Sequence, residues 1–222
     1  MKKLILFLSI LLFCTTIDLS CTYALSSAKL EAIKLDYSFC ELNQFINETQ
    51  LKTMYDEYTS CIDNLNLILE DNKEFKDASL EDLLKNLDSM PEEIALKVKL
   101  NASYAINFEY FFKNLSARKT SPGEKFLKKI DKSFTCFNSF KREFKSSAIN
   151  SNSDWIFLAC KPDGNLYLTT SDEIYCPISF KHQIILCLNL DKKLYSDKCE
   201  FVDKFFSFVN WDQVDKNISE NY

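Results

Sequence analysis

The chain has 222 residues, 27 basic and 32 acidic side chains and a formal net charge of −5. Its charges are spread throughout, with no basic block or stripe of the kind that meets nucleic acid. Two glycines, Gly123 and Gly164, are too few to build a dinucleotide fingerprint or a phosphate loop, which argues against nucleotide-dependent chemistry.

Taken in order, Lys2-Lys3 precedes an apolar run from Leu4 to Cys14, 11 residues long. A bilayer span takes about 20 residues. Thr22-Tyr23-Ala24 then supplies small residues at the −3 and −1 positions of a cleavage site. The stretch 1–24 therefore reads as a signal peptide, delivering the chain to the secretory route, either secreted or in the lumen of an organelle. A lipid anchor at Cys21 is disfavoured by Asp18, while an uncleaved anchor stays open. No later segment is long and apolar enough to cross a membrane, and the remaining length suits one domain or two small layers sharing a core.

Nine cysteines include two in the leader. The others are Cys40, Cys61, Cys136, Cys160, Cys176, Cys187 and Cys199. No C-x-x-C pair occurs, so neither a zinc knuckle nor a redox motif is supported. An oxidising compartment permits disulfides, yet an odd number leaves at least one thiol free, buried or paired between chains. The pairing pattern stays open.

Asn47-Glu48-Thr49-Gln50 is a helix start, with Asn47 as N-cap and Gln50 three residues on. Leu51, Met54, Tyr55, Tyr58, Ile62 and Leu65 recur at three- and four-residue steps and predict one face of a helix. Leu80 to Leu87 predicts a small helix within a polar connection. Ser89-Met90-Pro91-Glu92-Glu93 starts another, with Pro in the first turn and carboxylates against the dipole, running to about Leu115. Ser121-Pro122-Gly123 marks a boundary, and Glu124 to Ile149 predicts two helices. Asp154 to Cys160 reads as a strand, Pro162-Asp163-Gly164-Asn165 as its turn, and Leu166 to Thr170 as the return. Ile184 to Leu190 predicts a third strand, Cys199 to Val209 a helix, and a last helix follows Asn210.

Several of these stretches resemble the iron/manganese superoxide dismutase family. Phe205-Phe206-Ser207-Phe208-Val209-Asn210-Trp211-Asp212 is similar to the family's closing aromatic helix and Asn-Trp-Asp turn. Asn107-Phe108-Glu109-Tyr110-Phe111-Phe112 resembles its Asn-His-x-x-Phe/Tyr-Trp. Phe134, Phe137, Phe140, Lys141 and Phe144 fall on its Phe-rich helices, with Thr135 where the family has a glycine. Asn152-Ser153-Asp154-Trp155 keeps the Trp of its Gly-Ser-Gly-Trp and loses both glycines. The resemblance covers roughly Leu35 to Asn217. It implies an α+β fold, with an N-terminal α-hairpin domain (33–117) packed on a C-terminal α/β domain (121–220) that holds a three-stranded antiparallel sheet.

It also implies where a metal would sit. The family holds iron or manganese with three His and one Asp. On the first helix the first ligand falls at Met54 and the channel Tyr at Ile62, and a one-residue slip gives Thr53 and Cys61. Phe108 stands for the second ligand, and Tyr104 for an outer Gln. Counting back without a gap from Asn210 places the family's Asp-x-Trp-Glu-His on Ile184 to Leu188, so Ile184 and Leu188 take its two ligand positions. All four replacements are apolar, which predicts a former metal cavity converted to core. The chain has one histidine, His182; three imidazoles are impossible by count. His182 reads as a surface or hydrogen-bonded residue, and Asp191, Asp197 and Asp212 as loop and cap residues.

The resulting expectation is a secreted superoxide dismutase-like pseudoenzyme with no catalytic or cofactor residues and no metal, binding an unknown protein or small ligand or serving as a structural module. One alternative is a family enzyme with a relocated or altered metal site, holding iron or manganese. Another is an unrelated secreted helical protein. Family dimers are bridged by the signature Glu and His, here Cys187 and Leu188. A homodimer joined by a Cys187 disulfide is a further expectation. Four N-x-S/T sites, at Asn47, Asn101, Asn114 and Asn217, permit glycosylation.

Overall fold

The computed structural model describes residues 29–172 and 174–219; the expected signal peptide, 1–24, lies outside them. The first long helix, α1, spans Glu48–Asp71. Asn47 caps it as the sequence predicts: its side chain accepts from the Thr49 amide at 2.8 Å, and the Gln50 side chain accepts from the Asn47 amide at 3.3 Å. Leu51, Met54, Tyr58, Ile62, Leu65 and Leu69 form its buried stripe. A short helix α2 (Leu80–Lys85) follows, started by a reciprocal Ser79–Asp82 cap. Then α3 (Glu92–Lys113) runs back against α1. The hairpin is therefore two long helices with α2 inserted in the connection.

The second half begins with α4 (Glu124–Phe134) and α5 (Phe137–Asn150). Gly123 is the N-cap of α4 and has no side chain to offer. The carboxylate of Asp215 replaces it, accepting from the Phe126 amide at 3.2 Å. A Cβ on Gly123 would lie 1.5 Å from Asp215 Oδ2, so glycine here is a matter of space. Between the two helices Thr135 has φ 73° and ψ −43°, and the Cys136 amide donates to the Phe134 carbonyl at 2.8 Å. That is a γ-turn, a strained conformation for a β-branched residue.

Strands β1 (Trp155–Cys160), β2 (Leu166–Ser171) and β3 (Gln183–Asn189) form an antiparallel sheet in the order β2-β1-β3. The expected hairpin turn places Gly164 at φ 83°, where glycine carries no Cβ penalty. Helix α6 covers Lys198–Phe205, with Asp197 as N-cap, and stops four residues short of the predicted Val209. The chain turns there because Val209 bridges to Leu115 and the Asn210 amide donates to the Asn114 carbonyl at 2.8 Å. The last helix, α7, is Trp211–Ser219. Phe45, ahead of α1, lies between Phe201 (4.9 Å between centroids) and Phe208 (5.5 Å), both stacked at 14°. This stack and the Leu115–Val209 bridge tie the two halves into one core. No helix among the described residues is long and apolar enough to cross a membrane.

Candidate functional site

The four expected ligand positions sit on three elements that share the core. Met54 lies on α1, Phe108 on α3, and Ile184 and Leu188 on β3. All are buried: Met54 is 6% exposed, Phe108 1%, and Ile184 and Leu188 0%. The Phe108 ring meets Tyr104 at 4.8 Å, Trp155 at 5.3 Å and Phe112 at 5.9 Å between centroids. Aromatic carbon surrounds it on each of these sides.

The sheet register corrects one expectation. Along β3, Leu186, Cys187, Leu188 and Asn189 pair with Leu158, Phe157, Ile156 and Trp155, but Ala159 pairs with Ile184. One residue of β3 is therefore bulged. Paired residues point to the same face and neighbours alternate. Ile184 thus shares a face with Ala159, Phe157 and Trp155, whereas Leu188 shares the opposite face with Ile156. Phe108 packs on Trp155, so the face toward α3 is that of Trp155, Phe157 and Cys187. The four positions do not all project into one cavity, because Leu188 is turned away.

Cys187 is the β3 residue that meets α3. Its amide donates to Asn114 Oδ1 at 3.2 Å, and its thiol lies 3.7 Å from the Asn107 carbonyl oxygen. It is fully buried, and burial pushes its thiol well above the ordinary value. A disulfide from Cys187 to a symmetry mate is therefore not offered by this fold. The sequence points to Cys187 only as an interchain position, whereas its contacts lie within the chain, on Asn107 and Asn114. Asp191 accepts from the Lys193 amide at 2.9 Å as a turn cap, the role expected of it. Asp197 caps α6, as expected, while Asp212 lies in the first turn of α7.

His182 is also engaged. Its Nδ1 is 2.6 Å from the Tyr167 hydroxyl, and the rings meet edge-on at 5.5 Å. Ile62 lines a cavity of about 440 Å³ with Glu81, Glu109, Tyr110, Lys113 and Asn217. Three of the charges there are engaged: the Tyr110 hydroxyl donates to Glu81 at 3.0 Å, and Lys113 lies 2.5 Å from Glu109. Burial, with Glu81 adding to it, raises the Tyr110 phenol far above its usual range. Tyr104 reaches outward, its hydroxyl 3.2 Å from Glu57.

The glycosylation sites divide. Asn47 is exposed but serves as a helix cap, and Asn101 is half-buried on α3. Asn114 and Asn217 are 0% and 4% exposed, and Asn217 Nδ2 donates to the Ile185 carbonyl at 3.0 Å. A glycan on either buried site is incompatible with this fold.

The sequence model for "Iron/manganese superoxide dismutases, C-terminal domain" matches residues 122–217, from the cap of α4 to α7. The match covers the C-terminal part of the chain and supports its membership of the iron/manganese superoxide dismutase family. The chain is also similar to "Superoxide dismutase [Mn] 1" of Leptolyngbya boryana, 24% identical over 205 residues that cover 88% of this chain and 82% of the relative. These matches and the sheet do not favour the alternative of an unrelated helical protein.

The matched family's name points to iron or manganese, and the residues at hand do not fit these ions. These ions take imidazole and carboxylate donors. Met54 offers a thioether, and Phe108, Ile184 and Leu188 offer no donor atom. Among the described residues no three His, Cys, Asp or Glu side chains stand together as a metal site.

Proposed function

We propose that this chain is a non-catalytic member of the superoxide dismutase family, delivered through the secretory route and acting as a binding or structural module. The observation that carries this reading is its single histidine, which stands ahead of β3 and hydrogen-bonds Tyr167. Dismutation needs a metal that cycles by one electron, held with an open position for a small anion. Apolar side chains at the expected ligand positions fill space and contribute packing, as a core does. Secretion rests on the basic start, apolar run and small-residue site at 1–24.

The test is elemental analysis of the purified mature chain together with a superoxide dismutation assay. The expected result is no stoichiometric iron or manganese and no rate above buffer. About one metal ion per chain, with activity that a chelator abolishes, overturns the reading.

A further inference from the structure

We infer that the groove between α5 and the α6–α7 corner binds a small aromatic ring carrying a tetrahedral oxyanion, an aryl phosphate or aryl sulfate. The groove encloses about 390 Å³. Its wall is aromatic: Phe137 meets Trp211 edge-on at 5.3 Å, and Phe206 stacks with Trp211 at 6.4 Å and 8°. Its rim is cationic, with Lys141, Arg142 and Lys145.

The single carboxylate in the lining, Asp203, is taken up by Lys145 at 2.5 Å. Lys141 instead lies over two rings, 5.3 Å from the Phe137 centroid and 5.9 Å from that of Phe206. Arg142 donates to the neutral Ser139 hydroxyl at 3.2 Å. Three cations against one carboxylate leave the groove positive in a chain whose net charge is −5. Two cations therefore remain available for an anion, held at the edge of an aromatic surface.

This combination selects for both halves of the ligand. A guanidinium and an ammonium match a tetrahedral oxyanion, the former with two parallel donors. The rings take an aromatic body by offset or edge contact. An inorganic anion uses only the rim and an uncharged ring only the wall. The site is separate from the ligand positions on α1, α3 and β3, so it stands whether or not the chain binds a metal.

The experiment is calorimetric titration of the full mature chain with phenyl phosphate, phenyl sulfate, inorganic phosphate and phenol at low salt. Saturable binding of at least one ester is expected below about 1 mM, at least about tenfold tighter than inorganic phosphate, with no saturable binding of phenol. The tighter ester identifies which oxyanion the rim prefers. Lys141→Gln combined with Arg142→Gln is expected to weaken the ester about tenfold or more, with an unchanged melting temperature. Absence of saturable binding by both esters overturns the inference. So does equal affinity for inorganic phosphate, or an affinity that the double substitution leaves unmoved.

Discussion

The Cys187 amide donates to the side chain of Asn114 at 3.2 Å, joining positions 73 residues apart. The same Asn114 accepts from the Asn210 amide through its carbonyl. One buried side chain at the end of α3 thus holds β3, while its backbone holds the turn before α7.

Removing that side chain leaves the Cys187 amide buried without its acceptor. Asn114→Ala is expected to destabilise the fold by about 1–3 kcal/mol, the cost of an unsatisfied buried polar group. Urea unfolding measures it, and a change under about 0.5 kcal/mol is what an expendable bond would give.

Thr135 holds a positive φ that the family fills with glycine. Thr135→Gly removes the clash of a branched side chain and is expected to stabilise the fold by up to about 1 kcal/mol. A higher urea midpoint at constant slope is the expected reading; a lower one means that the γ-turn is not strained by this side chain.

Alkaline pH should unfold the chain early. Burial raises the thiol of Cys176 from 9 to about 12, and raises Cys187 and the phenols of Tyr37, Tyr58 and Tyr110. The native state then holds its protons after the unfolded state has lost them. Stability is full below the ordinary thiol value and falls as pH rises from 9 toward 12. Urea midpoints across that window check the slope, and a flat profile contradicts it.

Cys136 is the thiol to watch in solution. It caps α5; hydrogen bonding with the Ser139 side chain, and the Ser139 amide donating to its sulfur at 3.4 Å, hold it below the ordinary thiol value. Its alkylation should persist to lower pH than that of a free thiol, and Ser139→Ala should shift the profile upward. Cys160, Cys176 and Cys187 are buried and should label only on unfolding. Peptide mapping after a short pulse of iodoacetamide distinguishes them.

Restoring a single family ligand should not restore chemistry. Leu188→His places an imidazole on the buried sheet face opposite Phe108, without a partner. A loss of a few kcal/mol, about 2–4, is expected, with no metal retained. Tight binding of manganese by this variant would show that the face assignment is wrong.

Helices were legible in the sequence where their signals were local. The Asn47–Gln50 box, the Pro91-Glu92-Glu93 start and the stripe from Leu51 to Leu65 each produced the element they predict. The site was less legible, for a physical reason. Six of the seven β3 residues are buried, and β1 is buried throughout. A strand covered on both faces shows no alternation. Nothing in Ile184 to Leu188 therefore announces the bulge, or which residue meets α3. The end of α6 was lost similarly, since Phe206 and Phe208 continue an apolar pattern that only the contacts of Val209 and Asn210 break off. Arg142 and Lys141 read as ordinary surface charge until α6 and α7 bring aromatic rings beside them.

Gly123 and Asp215 carry a consequence for synthesis. The start of α4 is capped by a residue 89 positions later, and Asn217 closes on β3 from the same helix. On the ribosome, α4, α5 and the sheet emerge before the helix that completes them. The N-terminal hairpin of α1 and α3 can close early from contacts nearer in sequence, whereas the second layer must wait with its apolar faces open. That interval is when its exposed apolar surface is most open to aggregation.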